Sequence, residues 1–434
     1  MNTKCLLIML DGVGDRAHKV LGNKTPLQKA RTPALDALAR LGSCGLYHAT
    51  QVGQNLPSET AHLVIFGYGI DEFPGRGPLE ALGAGIEFGP GEVAILAHLA
   101  CVEEKDGTLV LRNGEPALTD GEADELFGIV SRYEKKGISL RAHRYKGAYG
   151  IIILSENASP FITDSDSVAR GLPLQKIVPW EEAEADEEAV ETSCFMNSYT
   201  LWAHHVLNGY AINSARREQG LNAINAIVTQ RAGRLKKVPA MHDRYGLRSL
   251  SISSASIYRG IAGYIGMDSI VLPSRPPEQD FTGKISLALE KFRDYDFIHV
   301  HSKEPDEASH RKDPVLKMKA IEALDRGIGA HLKGLLARED LLVVVMGDHS
   351  TPSSGPLVHS GEPVPVIFCG RGTRRDRVRR YDEIRAATGA LGTLRGRELI
   401  LSILNIMDRS KLAGLRDCAA DQPFWPGRSS PLKL

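Results

Sequence analysis

The sequence predicts an α/β protein, a parallel sheet with helices on both faces, into which a smaller α+β domain is inserted. Three observations carry this. From Leu247 onward, short β-branched runs alternate with apolar patterns of helical spacing, the rhythm of a parallel sheet covered on both sides. Between about Gly91 and Glu191 that rhythm gives way to short alternating apolar segments. Asp and His residues fall just past apparent strands on both sides of this stretch, so the outer parts must meet in space. The expected domains are therefore 1–90 with 192–434, and 91–191 as the insertion.

In the first outer part, Lys4 to Leu10 reads as a buried strand ending at Asp11, with Gly12 and Gly14 allowing a sharp turn and close backbone approach. Pro26 to Leu41 has apolar residues at helical spacing, and Pro33 suits a first helical turn. Ser58 follows Pro57 at the start of another helical pattern, which would aim its hydroxyl and free backbone N–H groups at an anion. The bland alternative for Ser58 is an ordinary helix cap. Arg76 lies in a Gly-rich basic loop and is placed to pair with a phosphate or carboxylate.

Within the insertion, Val93 to Val102, Thr108 to Arg112, Ile138 to Arg144 and Tyr149 to Leu154 read as strands, and Gly121 to Lys135 as an acidic helix. The run Trp180 to Glu191 is acidic and reads as a solvated face. Ser198 to Glu218 is helical in pattern and Ile224 to Thr229 a strand. The regular alternation follows: strands Leu247 to Ser253, Ser269 to Leu272, Phe297 to His301, Leu341 to Val345 and Val364 to Phe368, with helices Ser256 to Ile265, Gly283 to Arg293 and Val315 to Leu336 between them. Tyr381 to Met407 reads as mostly helical, and the stretch from Asp421 as irregular.

Lys plus Arg and Asp plus Glu both number 53 in 434 residues. A balanced chain gives no reason to expect nucleic acid as a partner, and any anionic ligand must be held by local groups. No apolar segment approaches the ~20 residues of a membrane span, and the apolar N-terminal run is broken by Asp11 and reads as a core strand. The six cysteines, Cys5, Cys44, Cys101, Cys194, Cys369 and Cys418, show no C-x-x-C spacing and read as free thiols of a cytoplasmic protein. The oligomeric state is not encoded in any pattern visible here.

The chemistry concentrates after the strand at Leu341, where Asp348 and His349 are followed by His359. Asp306 and His310, four apart on a helix starting near Pro305, share one face. Carboxylate and imidazole together suit zinc, manganese or a similar divalent ion. One ion would take Asp306, His310 and His359; a second would take Asp11, Asp348, His349 and the Ser58 oxygen. Two cations about 4 Å apart can clamp a phosphoryl group while one activates the attacking hydroxyl. Lys303 would neutralise further negative charge. His62, four residues after Ser58, stays undecided between a core histidine and a supporting group.

Taken together, DG-x-GDR, SETAH, GRGPLEALGAGI, H-x-K-x-x-DEA-x-H and GDHSTP…HS-x-x-PVPV run through most of the chain in the order found in the archaeal-type, cofactor-independent phosphoglycerate mutases of the alkaline phosphatase superfamily, which the sequence resembles. The resemblance implies an alkaline-phosphatase-like, two-domain enzyme using two divalent ions (manganese, cobalt or zinc). Ser58 would carry the phosphoryl group between the two oxygens of a phosphoglycerate, with Lys303 near the phosphate. It also implies a substrate role for Arg216, which with Asn213, Gly220 and Asn225 keeps the family's spacing. A phosphomonoester hydrolase or a phosphotransferase acting on another small phosphorylated metabolite stays open, and the discriminating feature is the set of arginines the insertion offers.

Overall fold

Strands buried on both faces are largely apolar, as are Cys5 to Leu10 of the strand Lys4–Leu10 and all of Leu341–Met346; with Phe297–Ser302, which is buried throughout although it carries His299, His301 and Ser302, they occupy the centre of a sheet. The computed structural model describes residues 4–167, 169–414, 422–425 and 432–434; Cys418 and Asp421 lie outside these, as does part of the tail that follows. The chain divides into two compact units, Met1–Phe73 with Val238–Leu434, and Pro74–Lys237.

In the first unit an eight-stranded sheet runs in the order Asp268–Val271, Ser249–Ser253, Phe297–Ser302, Lys4–Leu10, Leu341–Met346, Val364–Cys369, Ser43–His48, Gly392–Arg395. All neighbours pair in parallel except Val364–Cys369, which is antiparallel to both of its partners. The expected all-parallel sheet is thus parallel with one reversed strand, because the loop leading to Val364 returns the chain beside Leu341–Met346 without a crossover helix. Helices cover the faces, and the core beneath them includes Leu6, Ile8, Leu10, Phe281, Ile298, Val300, Val343 and Val345, none more than 2% exposed. The tail contains the edge strand Gly392–Arg395 between the helices Glu383–Ala386 and Glu398–Ile406, where a mostly helical stretch was expected.

The expected helix from Pro26 to Leu41 is two helices, Pro26–Lys29 and Pro33–Leu41. The residue before a proline is driven out of helical geometry, and Thr32 sits at φ −125°, ψ 63°. Thr32 does not cap the second helix; the buried Asp325 carboxylate does, accepting from Ala34 and Leu35 N–H at 3.2 and 2.8 Å. Burial pushes the Asp325 carboxyl up to about 6. A carboxyl whose pKa is higher folded than unfolded stabilises the fold at low pH and loses that contribution as pH rises through the folded value. Asp325→Asn should remove this slope. Relative to wild type, its urea stability is expected to improve by on the order of 2 kcal/mol between pH 4 and 7, and a constant difference across that range would refute the assignment.

In the second unit the chain forms a six-stranded sheet, Thr108–Asn113, Val93–Lys105, Tyr149–Leu154, Ile138–Lys146, Arg132–Lys135, with Ala226–Arg234 also paired to Val93–Lys105, all antiparallel. The expected helix from Gly121 to Lys135 ends at Ile129. Its last residues are a strand because Lys136 (φ 50°) and Gly137 (φ 82°) form a two-residue hairpin turn with both φ positive. The units divide elsewhere than at the expected 90 and 192. The helix Arg76–Ala84 joins the second unit, where Gly77 packs against the backbone of Ala94 so closely that a Cβ would lie 2.1 Å from its oxygen. The helix Glu187–Asn208 and the strand Ala226–Arg234 complete the same core through Phe195, Met196, Tyr199 and Ile227. Among the described residues no helix is long and apolar enough to cross a membrane, and the described cysteines are free thiols, all buried but Cys194.

Candidate active site

Register decides what meets at the carboxyl ends of the first unit's central strands. Leu10 pairs with Ser302, and Met9 with both His301 and Met346, so the residues that follow all emerge at one edge: Asp11, then Lys303 and the helix Glu304–His310, then 347–349. Two clusters form there. The ligating atoms of Asp306, His310 and His359 lie within 4.8 Å of one another, as do those of Asp11, Asp348 and His349.

Each of the three buried aspartates uses one oxygen to bind protein and leaves the other bare. Asp11 Oδ2 accepts from the Tyr258 hydroxyl at 2.7 Å and from His301 Nε2 at 3.0 Å. Asp348 Oδ1 accepts from the backbone N–H of Gly12 and His349 at 3.0 and 2.9 Å. Asp306 Oδ1 accepts from the Thr351 hydroxyl at 2.8 Å. Asp11 Oδ1, Asp348 Oδ2 and Asp306 Oδ2 are buried and receive no hydrogen bond, close as the last is to His310 Nε2 at 3.1 Å. Leaving such oxygens unpaired costs free energy unless a cation faces them. The donor set, three carboxylates and three imidazoles, fits divalent cations.

The imidazoles are oriented to match. His359 Nδ1–H donates to Leu56 O at 2.8 Å, leaving the lone pair on Nε2, which faces Asp306 Oδ1 at 3.6 Å. His349 Nε2 lies 3.5 Å from Asp11 Oδ1 and 3.3 Å from Asp348 Oδ2. Burial pulls the His349 pKa down to about 4, so at neutral pH its ring is uncharged. Burial would raise the Asp11 carboxyl, but the His301 hydrogen bond and the imidazoles around it hold it well below the usual range. Burial, with the Asp11 charge beside it, holds Asp348 well above.

Ser58 is the first residue of the helix Ser58–Ile65, and Pro57 occupies the cap position. Its hydroxyl is not spent on that helix; it lies 2.9 Å from His349 Nε2. His62 is a buried supporting group. Its Nδ1–H donates to Ser58 O at 2.8 Å, and burial lowers its pKa to about 3. Lys303, at 40% side-chain exposure, places Nζ 3.9 Å from Asp306 Oδ2.

In the second unit, Arg76 is partly exposed and shares its guanidinium with Glu80 at 3.1 Å. Arg216 is committed internally: it donates to Asn222 O at 3.0 Å, Glu122 at 2.9 Å and Ala117 O at 3.1 Å, and is 8% exposed. A substrate would have to displace all three, so Arg216 acts here as a tie between the helices Ala211–Glu218 and Asp120–Ile129.

Sequence reasoning missed Tyr258, Thr351 and the role of His301. His301 opens a motif that signals it; Tyr258 belongs to no motif, and its approach to Asp11 depends wholly on folding.

The chain matches the Metalloenzyme superfamily model over residues 3–406. It is 37% identical to the 2,3-bisphosphoglycerate-independent phosphoglycerate mutase 2 of Methanocaldococcus jannaschii, covering 95% of each chain. It is 36% identical to the enzyme of the same name from Ignicoccus hospitalis, covering 95% of this chain and 99% of that one. Among solved structures, a Pyrococcus horikoshii protein superposes with a TM-score of 0.79 at 28% identity, over 95% of this chain and 100% of the other. A cofactor-independent phosphoglycerate mutase from Thermoplasma acidophilum superposes with a TM-score of 0.65 at 27% identity, over 93% and 100%.

Proposed function

We propose, for a chain that belongs to the 2,3-bisphosphoglycerate-independent phosphoglycerate mutases of the metalloenzyme superfamily, that it interconverts 2- and 3-phosphoglycerate through a phosphoserine at Ser58. The observation that carries this is the placement of the Ser58 hydroxyl: at a helix N-terminus, 2.9 Å from the His349 nitrogen that itself faces the bare oxygens of Asp11 and Asp348. In this reading one ion is held by Asp306, His310 and His359, and a second by Asp11, Asp348, His349 and the Ser58 oxygen; manganese, cobalt and zinc all suit these donors. When bound, such ions supply positive charge to the phosphoryl oxygens and lower the pKa of the attacking hydroxyl.

The chain's own groups do the rest. Ser58 Oγ attacks phosphorus, the bond from phosphorus to the substrate oxygen breaks, and the serine proton is passed on to that oxygen. The helix N-terminus behind Ser58 favours the anionic group it carries. Lys303 adds a cation beside Asp306. The glycerate stays bound and takes the phosphoryl group back on its other hydroxyl, regenerating Ser58. Arg76 would pair with a carboxylate or phosphate of the substrate. Free thiols in the core fit a cytoplasmic setting.

Supplying each phosphoglycerate isomer separately with manganese, and following isomer ratio and free phosphate together, tests the reading. Either isomer should relax to the same mixture with little phosphate released. Steady phosphate release without isomerisation would make the protein a phosphomonoester hydrolase on the same core.

A further inference from the structure

Thr351 has no part in the chemistry above, yet it is fully buried between the two clusters. Its Oγ1 lies 2.8 Å from Asp306 Oδ1 and 3.0 Å from His349 Nδ1. A hydroxyl has one proton and an ionised carboxylate can only accept, so that proton goes to Asp306, and Thr351 must accept from His349 Nδ1–H. One hydroxyl thereby sets two ligands at once. It engages Oδ1 of Asp306, leaving Oδ2 bare, and it fixes His349 in the tautomer whose Nε2 lone pair faces Asp11 Oδ1 and Ser58. Asp306 belongs to one cluster and His349 to the other.

We propose that Thr351 is the positioning residue that couples the two ion sites, so that filling one orders a ligand of the other. The proposal rests on the two-ion reading. The hydroxyl is held too firmly to follow one neighbour and abandon the other. The Thr351 carbonyl accepts from Lys317 Nζ at 2.8 Å, the same ammonium reaches Gly14 O at 2.8 Å, and Thr351 N–H donates to Gly14 O at 3.0 Å. Lys317 is itself fully buried and paired with Asp15 at 3.2 Å, whose carboxylate also takes the Ser353 hydroxyl at 2.5 Å. The loop after Lys4–Leu10 and the loop after Leu341–Met346 are thus tied together at Thr351. Gly12 makes room for it: a Cβ there would stand 2.6 Å from Thr351 Oγ1 and 2.9 Å from Asp306 Oδ1, and its φ is +64°.

The test is manganese titration of ion-stripped protein, read by calorimetry and by the spin-resonance signal of free ion, with the thermal midpoint of the stripped protein as a check on folding. Wild type should take two ions; fewer would defeat the two-ion reading itself, before any variant is made. Thr351→Val, nearly isosteric but without the hydroxyl, should weaken both ions by about tenfold or more, the usual effect of losing a group that orients metal ligands. Thr351→Ser should stay within about threefold of wild type. His310→Ala, which removes a ligand of one cluster, should also weaken the ion of the other cluster in the wild-type background and leave it unchanged in Thr351→Val. Unaltered binding of both ions in Thr351→Val, or loss confined to one of them, overturns the proposal. Should Thr351→Val not fold, the charge-balanced pair Lys317→Met with Asp15→Asn keeps the hydroxyl but releases its backbone. That pair should weaken both ions together, and wild-type binding in it is the contrary result.

Discussion

Ser58→Ala is expected to lower phosphoryl transfer by on the order of 10⁴-fold or more, the scale on which loss of a nucleophile is felt when several groups act as a unit. The argument is chemical before it is structural. A serine hydroxyl is a poor nucleophile at neutral pH and needs activation by a base or by an ion. Its structural duties are small, because the hydroxyl does not cap its helix and, among the described residues, hydrogen-bonds to His349. Its removal should cost about 1 kcal/mol of stability, and because the six carboxylates and imidazoles proposed to hold the ions remain, ion binding should largely persist. A phosphorylated Ser58 peptide should appear in the mass spectrum of wild-type protein mixed with substrate and be absent from the variant. Turnover within tenfold of wild type would show that Ser58 is structural.

The two clusters of carboxylates and imidazoles were largely legible in the sequence because all of their members but His359, which lies in a loop, are tied to a strand end or to helical spacing. Asp11 and Asp348 directly follow apolar runs, and Asp306 and His310 are four apart after a proline. Ser58 was singled out by its place after Pro57 at the start of a helical pattern, and it is the first residue of the helix Ser58–Ile65. What escaped depends on register and packing, which periodicity does not specify. Met9 pairing with His301 puts that imidazole beside Asp11, and Tyr258 reaches the same oxygen from a helix with no motif of its own. Arg216 shows the converse. Its spacing suggested a ligand for substrate, but its guanidinium closes three internal bonds, and no spacing distinguishes an arginine that faces a site from one that ties two helices. The reversed strand Val364–Cys369 looked like its parallel neighbours because a strand buried on both faces is equally apolar in either direction.

Stripping divalent ions should take turnover to background, with activity returning when manganese, cobalt or zinc is restored. The reason lies in the electrostatics of the bare oxygens. Asp11 and Asp348 bring ligand atoms within 4.8 Å of each other in a buried setting, where two charges about 4 Å apart repel by about 4 kcal/mol at an effective dielectric of 20. The protein moderates this by holding the Asp348 carboxyl well above, and that of Asp11 well below, the usual carboxylate range. Lys303 Nζ stands 3.9 Å from Asp306 Oδ2, but at 40% side-chain exposure it offsets little of the charge of an incoming phosphoryl group. A cation reverses the sign of the problem, turning mutual repulsion into shared attraction. The same reversal predicts a stability effect independent of catalysis: an ion at 100 times its Kd should raise unfolding stability by about 2.7 kcal/mol. Elemental analysis of replete protein should find two ions per chain, falling towards one in His359→Ala, because the Nε2 of that ring faces Asp306 Oδ1 at 3.6 Å. Stripped protein that turns over at the replete rate, or that melts at the same temperature with and without ions, would remove the metal centre from the mechanism.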